Sequence, residues 1–128
     1  MEVNLKKKQG DNRKYGFVNN DGNWAIKPQF DYAWDFKDGL ARVKVDGKYG
    51  YVRADGSWAF KPQFDFAGYF SYGLALVKVD GKYGYVRADG SWAFEPQFDD
   101  AEDFEDGLAR VKVDGKYGYV REDGTWEP

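Results

Sequence analysis

A fixed spacing organises this chain. The glycines of its Lys-Tyr-Gly triplets fall at Gly16, Gly50, Gly84 and Gly118, a constant step of 34 residues. Asp46 to Val79 returns as Asp80 to Val113 with 27 of 34 positions identical, and a more divergent copy runs from Asn12 to Val45. A period of this size belongs to arrays in which each unit buries its apolar face against its neighbours.

Each unit reads as three strands. Leu40 to Val45 alternates, Asp46-Gly47 supplies the positive φ of a two-residue turn, and Lys48 to Arg53 returns. A second turn at Asp55-Gly56 leads into Ser57 to Phe60, and Pro62 is expected to end that strand because it cannot donate to a ladder. The two-residue turn fixes the register, pairing Val43 with Gly50, Arg42 with Tyr51 and Lys44 with Tyr49. One face then carries small aliphatics, with Gly50 allowing another layer to approach. The other carries rings and cations, with Tyr51 beside Phe60 and Arg53 beside Trp58.

The units cover roughly residues 1–27, 40–61, 74–95 and 108–128, joined by connectors 28–39, 62–73 and 96–107 into one repeat domain. Each connector repeats a Phe, an Ala and a second Phe, which predicts nine inward anchors: Phe30, Phe64, Phe98, Ala33, Ala67, Ala101, Phe36, Phe70 and Phe104. Val3 to Lys8 supplies a first strand ahead of a longer turn through Gln9 to Arg13. The expected class is all-β: tandem three-stranded antiparallel meanders in a solenoid-like array, with a closed propeller-like ring as the alternative.

Composition excludes several chemistries. Cysteine and histidine are both absent, which removes disulfides, thiolate metal sites and the commonest general base. The basic N-terminal residues lack an apolar run, so no secretory leader is expected. No stretch approaches the roughly 20 apolar residues of a membrane span, and the chain is expected to be soluble without binding membranes. The compartment is left open. A net charge of −3 argues against a nucleic-acid partner, which needs a continuous basic surface.

The elements Gly-Lys-Tyr-Gly-Tyr-Val, Asp-Gly-Ser-Trp-Ala-Phe, Pro-Gln-Phe-Asp and Asp-Gly-Leu-Ala-Arg-Val resemble the WG-repeat family of bacterial proteins across essentially the whole chain. Tyr49, Tyr83 and Tyr117 depart from it where the family often has Trp. The resemblance implies an all-β interaction array without a shared catalytic site. Near-identity of the second and third units fits either recent duplication or a consensus-engineered array.

No nucleophile elbow, phosphate loop or metal-ligand cluster is present, so neither an enzyme nor a cofactor is expected. The repeated rings at Tyr15, Phe17 and Trp24 and their equivalents read as core, with stacking on carbohydrate as the competing reading. The acidic run Asp99 to Asp106 reads as a solvated face, since it lacks the ligand spacing of a calcium loop. The informative positions are those where units differ. Phe66, Tyr69, Tyr72 and Leu76 stand where the next unit has Asp100, Asp103, Asp106 and Arg110, and the first connector carries Tyr32 and Trp34. Those six form the candidate partner-binding patch of a protein-interaction module; a scaffold without a ligand is a further alternative. The charge asymmetry along the chain also predicts a weak homodimer.

Overall fold

The computed structural model describes residues 4–127, and these divide after Phe64 into two compact units of two sheets each. In the first unit, β1 (Lys6–Gln9), β2 (Tyr15–Val18) and β3 (Trp24–Phe30) form one sheet. There β4 (Tyr32–Lys37), β5 (Leu40–Val45), β6 (Lys48–Arg53) and β7 (Trp58–Phe64) form the second. The second unit repeats the four-stranded pattern twice. Its sheets comprise β8 (Phe66–Ala67), β9 (Leu74–Val79), β10 (Lys82–Arg87) and β11 (Trp92–Phe98), then β12 (Asp100–Ala101), β13 (Leu108–Val113), β14 (Lys116–Arg121) and β15 (Trp126–Glu127). All pairings are antiparallel. The class is the expected all-β repeat array, without a helix among the described residues.

The expected hairpin register holds at every pair from Leu40↔Arg53 to Val45↔Lys48. Its cause is the turn, where Asp46 (φ 51°) and Gly47 (φ 82°) are both left-handed, as a type I′ hairpin requires. The Asp55-Gly56 turn is longer. Arg53 N–H donates to the Ser57 carbonyl (2.8 Å), Gly56 N–H to that of Arg53 (2.9 Å), and only Gly56 takes positive φ (89°).

Four local expectations are corrected. The connectors are not merely links, since each pairs with the following strand and adds a fourth to its sheet, as in Ala33↔Val43 and Ala67↔Val77. Pro62 does not end its strand; β7 passes through it to Phe64 across a bulge, where the missing N–H is not demanded by the ladder. That bulge explains Gly50. A Cβ there would lie 2.6 Å from the Phe60 carbonyl oxygen, so the close approach comes from the next strand of the same sheet rather than another layer. A second register shift, between Tyr51 and Val52, sets Trp58 opposite Val52 instead of Arg53, whose guanidinium donates to the Trp58 carbonyl at 2.7 Å. Val3, the expected start of the first strand, lies outside the described residues.

Sheets within a unit interlock through the connector anchors. Eight of the nine are buried and Phe36 is half-buried. In the first unit Phe36 meets Phe17 edge-on at 4.8 Å; in the second, Phe104 meets Tyr85 at the same distance. The Tyr85 hydroxyl donates to the Glu102 carbonyl, which satisfies its one buried polar group. Burial, with Asp103 and Glu102 nearby, drives its ionisation well above the usual phenol range.

Aspartates tie the connectors down. Asp31 pairs with Lys14 and accepts the Asp46 N–H (2.7 Å), while Asp99 pairs with Lys82 and accepts the Asp114 N–H (2.9 Å). These bonds hold both carboxyls below the ordinary value of 3.8, and the Ser57, Ser91 and Thr125 bonds do the same for Asp55, Asp89 and Asp123. A depressed folded pKa gives stability that is present above the unfolded value and lost as pH falls through the folded one. The urea midpoint should therefore fall between roughly pH 7 and roughly pH 3. An unchanged midpoint would remove these aspartates from the account.

Candidate functional site

The six candidate residues fall into two groups, one per unit. In the first unit β4 presents Tyr32 and Trp34, whose rings lie 4.6 Å apart. Tyr15 and Tyr49 extend them, with centroids 5.0 Å from Tyr32 and 5.7 Å from Trp34. Cations sit on this row: Arg42 lies 4.1 Å from the Trp34 centroid, Lys7 4.9 Å from Tyr32 and Lys44 5.2 Å from Tyr49. The expected Lys44–Tyr49 contact is present. Arg42, expected over Tyr51, turns to Trp34 and Tyr49, because Tyr51 is buried against Phe60 and Phe64. Tyr32 also accepts a hydrogen bond from Lys7 at 3.2 Å, so Tyr32 and Trp34 are knitted into their own unit.

In the second unit, Phe66, Tyr69 and Tyr72 are exposed, at 42%, 51% and 65%. Leu76 is half-buried against the core cluster around Tyr85. Tyr72 is unusual in its backbone as well. It forms with Gly73 a two-residue turn closed by reciprocal Ser71 and Leu74 hydrogen bonds (2.8 and 3.1 Å), and its φ is 54°. The same position holds Asp38 (φ 54°) and Asp106 (φ 53°) in the other connectors. Aspartate tolerates the left-handed region through local hydrogen bonding, whereas for a bulky side chain it is strained.

One cross-strand pair takes three chemistries. In the second sheet it is Trp34 under Arg42. In the fourth it is Glu102, which accepts two bonds from Arg110 at 2.6 and 3.0 Å. In the third it is Gly68 and Leu76, joined by the Gly68 N–H to Leu76 carbonyl bond at 2.8 Å. Gly68 and its neighbours Lys78 and Tyr83 are not among the six candidate residues. The signal available was a glycine standing where both other connectors carry large side chains.

The repeated rings divide by position. Phe17, Tyr51 and Tyr85 are buried core, as expected for rings of the repeat interior, while Tyr117, Tyr119, Trp24 and Trp126 are exposed. Tyr119 borders a recess of about 400 Å³ with Glu102, Asp103, Glu105, Asp106, Leu108 and Arg110. Among the described residues no three carboxylates converge in a way that could hold a metal ion. Nor, among these residues, is any helix long and apolar enough to cross a membrane.

Comparison with curated proteins and with solved structures gave no match. The family profile described as WG containing repeat matches three successive segments, residues 15–49, 49–83 and 83–117. The matched segments run from β2 to β6, from β6 to β10 and from β10 to β14, and together span most of the chain, which therefore belongs to the WG-repeat family.

Proposed function

We propose that this chain is a non-catalytic protein-binding repeat module whose main contact surface is the connector from Phe66 to Tyr72. Tyr72 carries the reading. It is 65% exposed, so it does not serve the core, and it occupies a left-handed turn position where the other connectors use aspartate. A residue that neither packs nor suits its backbone is explained by a contact outside the fold. Phe66 and Tyr69 are exposed beside it in sequence, and large exposed rings are what interface centres use. Tyr32 and Trp34 take a lesser role, since their rings are already engaged by Lys7 and Arg42.

A second copy is one partner this surface admits. The first unit carries 12 basic and 8 acidic residues, the second 7 and 14, so the units bear +4 and −7. Charges of this kind orient association but are screened beyond about 8 Å at physiological salt, and any homodimer is expected to be weak. The test is capture of partners by the parent and by Tyr69→Asp/Tyr72→Asp, with self-association followed by light scattering. The double substitution writes in the residues of the equivalent connector, Asp103 and Asp106, so the fold should persist. Loss of both capture and self-association is expected. Unaltered capture by the folded variant contradicts the reading, and specific glycan binding lost on Trp58→Ala would favour the carbohydrate alternative instead.

A further inference from the structure

The third sheet lacks a side chain that its counterpart contains. In the second sheet the Trp34 indole rests against Tyr32, Tyr49 and Arg42, at centroid distances of 4.6, 5.7 and 4.1 Å. The equivalent residues of the third sheet are Phe66, Tyr83 and Leu76, an aromatic pair and an apolar floor, but Trp34 itself is replaced by Gly68. The space is open. A Cβ on Gly68 would have only the Leu76 carbonyl oxygen at 3.5 Å and one Phe66 ring carbon at 4.0 Å within contact range, and its φ is not left-handed. The glycine is therefore required neither by the backbone nor by crowding.

The charges around this notch are also distinctive. Between Asp65 and Asp80 the chain carries no carboxylate and a single cation, Lys78, whose Nζ lies 5.1 Å from the Tyr83 centroid. The corresponding stretch of the fourth sheet holds Asp100, Glu102, Asp103, Glu105 and Asp106. We infer that the notch over Gly68 receives a tryptophan side chain flanked by a carboxylate on a partner polypeptide, the ring taking the place of Trp34 and the carboxylate facing Lys78. This deepens the protein-binding reading and rests on it. The chain's own exposed tryptophans are poor donors: Trp24 sits near the Lys8 ammonium (5.7 Å), and Trp126 packs at a tilt against Phe98 (5.3 Å). A protein other than a second copy is thus the occupant.

The probe is the peptide acetyl-Gly-Trp-Asp-Asp-amide, titrated into the full chain while backbone amide resonances are followed. Shifts centred on Gly68, Leu76 and Tyr83 are expected, absent with the alanine-for-tryptophan peptide and reduced when lysines replace the aspartates. The blocking variant is Gly68→Trp/Leu76→Arg, a pair that the same chain already folds at Trp34 and Arg42. It should weaken the peptide by about tenfold or more, the scale of one aromatic contact with its buried area. Gly68→Glu/Leu76→Arg, the fourth sheet's pair, gives a second folded block. Equal shifts with the alanine peptide, or undiminished binding to both blocked variants, would overturn the assignment. If Tyr69→Asp/Tyr72→Asp loses partner capture while the blocked variants keep it, the notch is wrong and the exposed surface stands. If the parent dimerises and the blocked variants are monomers, a second copy fills the notch and the foreign partner is wrong.

Discussion

Tyr85→Ala is expected to destabilise the chain by about 3–5 kcal/mol in urea unfolding, the range of a fully buried aromatic truncated in a packed core. The ring is 1% exposed and lies 6.1, 6.0 and 4.8 Å from Phe94, Phe98 and Phe104. It is also where the third sheet grips the fourth, through the Glu102 carbonyl. Tyr85→Phe keeps the ring and deletes that bond, so a loss of about 1 kcal/mol is expected. Tyr119 is the same residue of the repeat, yet it is 43% exposed. Its alanine variant should lose far less than that of Tyr85. Equal losses at the two positions would mean that stacking between sheets is not what makes this ring matter.

Gly84→Ala is expected to lose about 1–3 kcal/mol, the usual penalty for forcing a methyl group into filled space. A Cβ at Gly84 would stand 2.5 Å from the Phe94 carbonyl oxygen and 2.9 Å from the Pro96 nitrogen. Both are backbone atoms of the bulged neighbouring strand, which cannot swing aside as a side chain can. Gly84 does not have positive φ, so the penalty comes from space and not from backbone conformation. Gly68→Ala is the matched control. With nothing closer than 3.5 Å it should be neutral or slightly stabilising, by up to about 1 kcal/mol from the lower entropy of the unfolded chain. A large loss at Gly68, or none at Gly84, would contradict the geometry.

The hairpins were legible because Asp-Gly at a two-residue turn leaves little freedom in register, and Val43 does face Gly50. The bulge was not. Pro62 reads as a stop in sequence, and only the carbonyl of Phe60 pressed against Gly50 reveals that the strand carries on past it. The connector strands escaped notice because two residues, such as Phe66-Ala67, are too few to show alternation. The third turn was hidden in part by the feature that proved most informative, since Tyr72-Gly73 lacks the Asp-Gly signature of Asp38-Gly39 and Asp106-Gly107. The candidate surface was legible as a set of differences between repeats. What those differences could not convey was exposure. Trp34 and Leu76 turned out to be half-buried, whereas Tyr69 and Tyr72 face solvent.

Those two facts about Tyr72, its exposure and its left-handed backbone, make opposite demands that one substitution separates. In Tyr72→Asp the turn receives the residue that Asp38 and Asp106 supply elsewhere. The fold should gain up to about 1 kcal/mol, part of the left-handed penalty for a bulky side chain, while partner capture should fall. The decisive measurement is therefore the urea midpoint and partner capture of Tyr72→Asp, taken side by side with the parent. A higher midpoint with lost capture is the predicted result; a lower midpoint, or capture equal to the parent's, would contradict the proposal that Tyr72 is held in the fold for its contact with a partner.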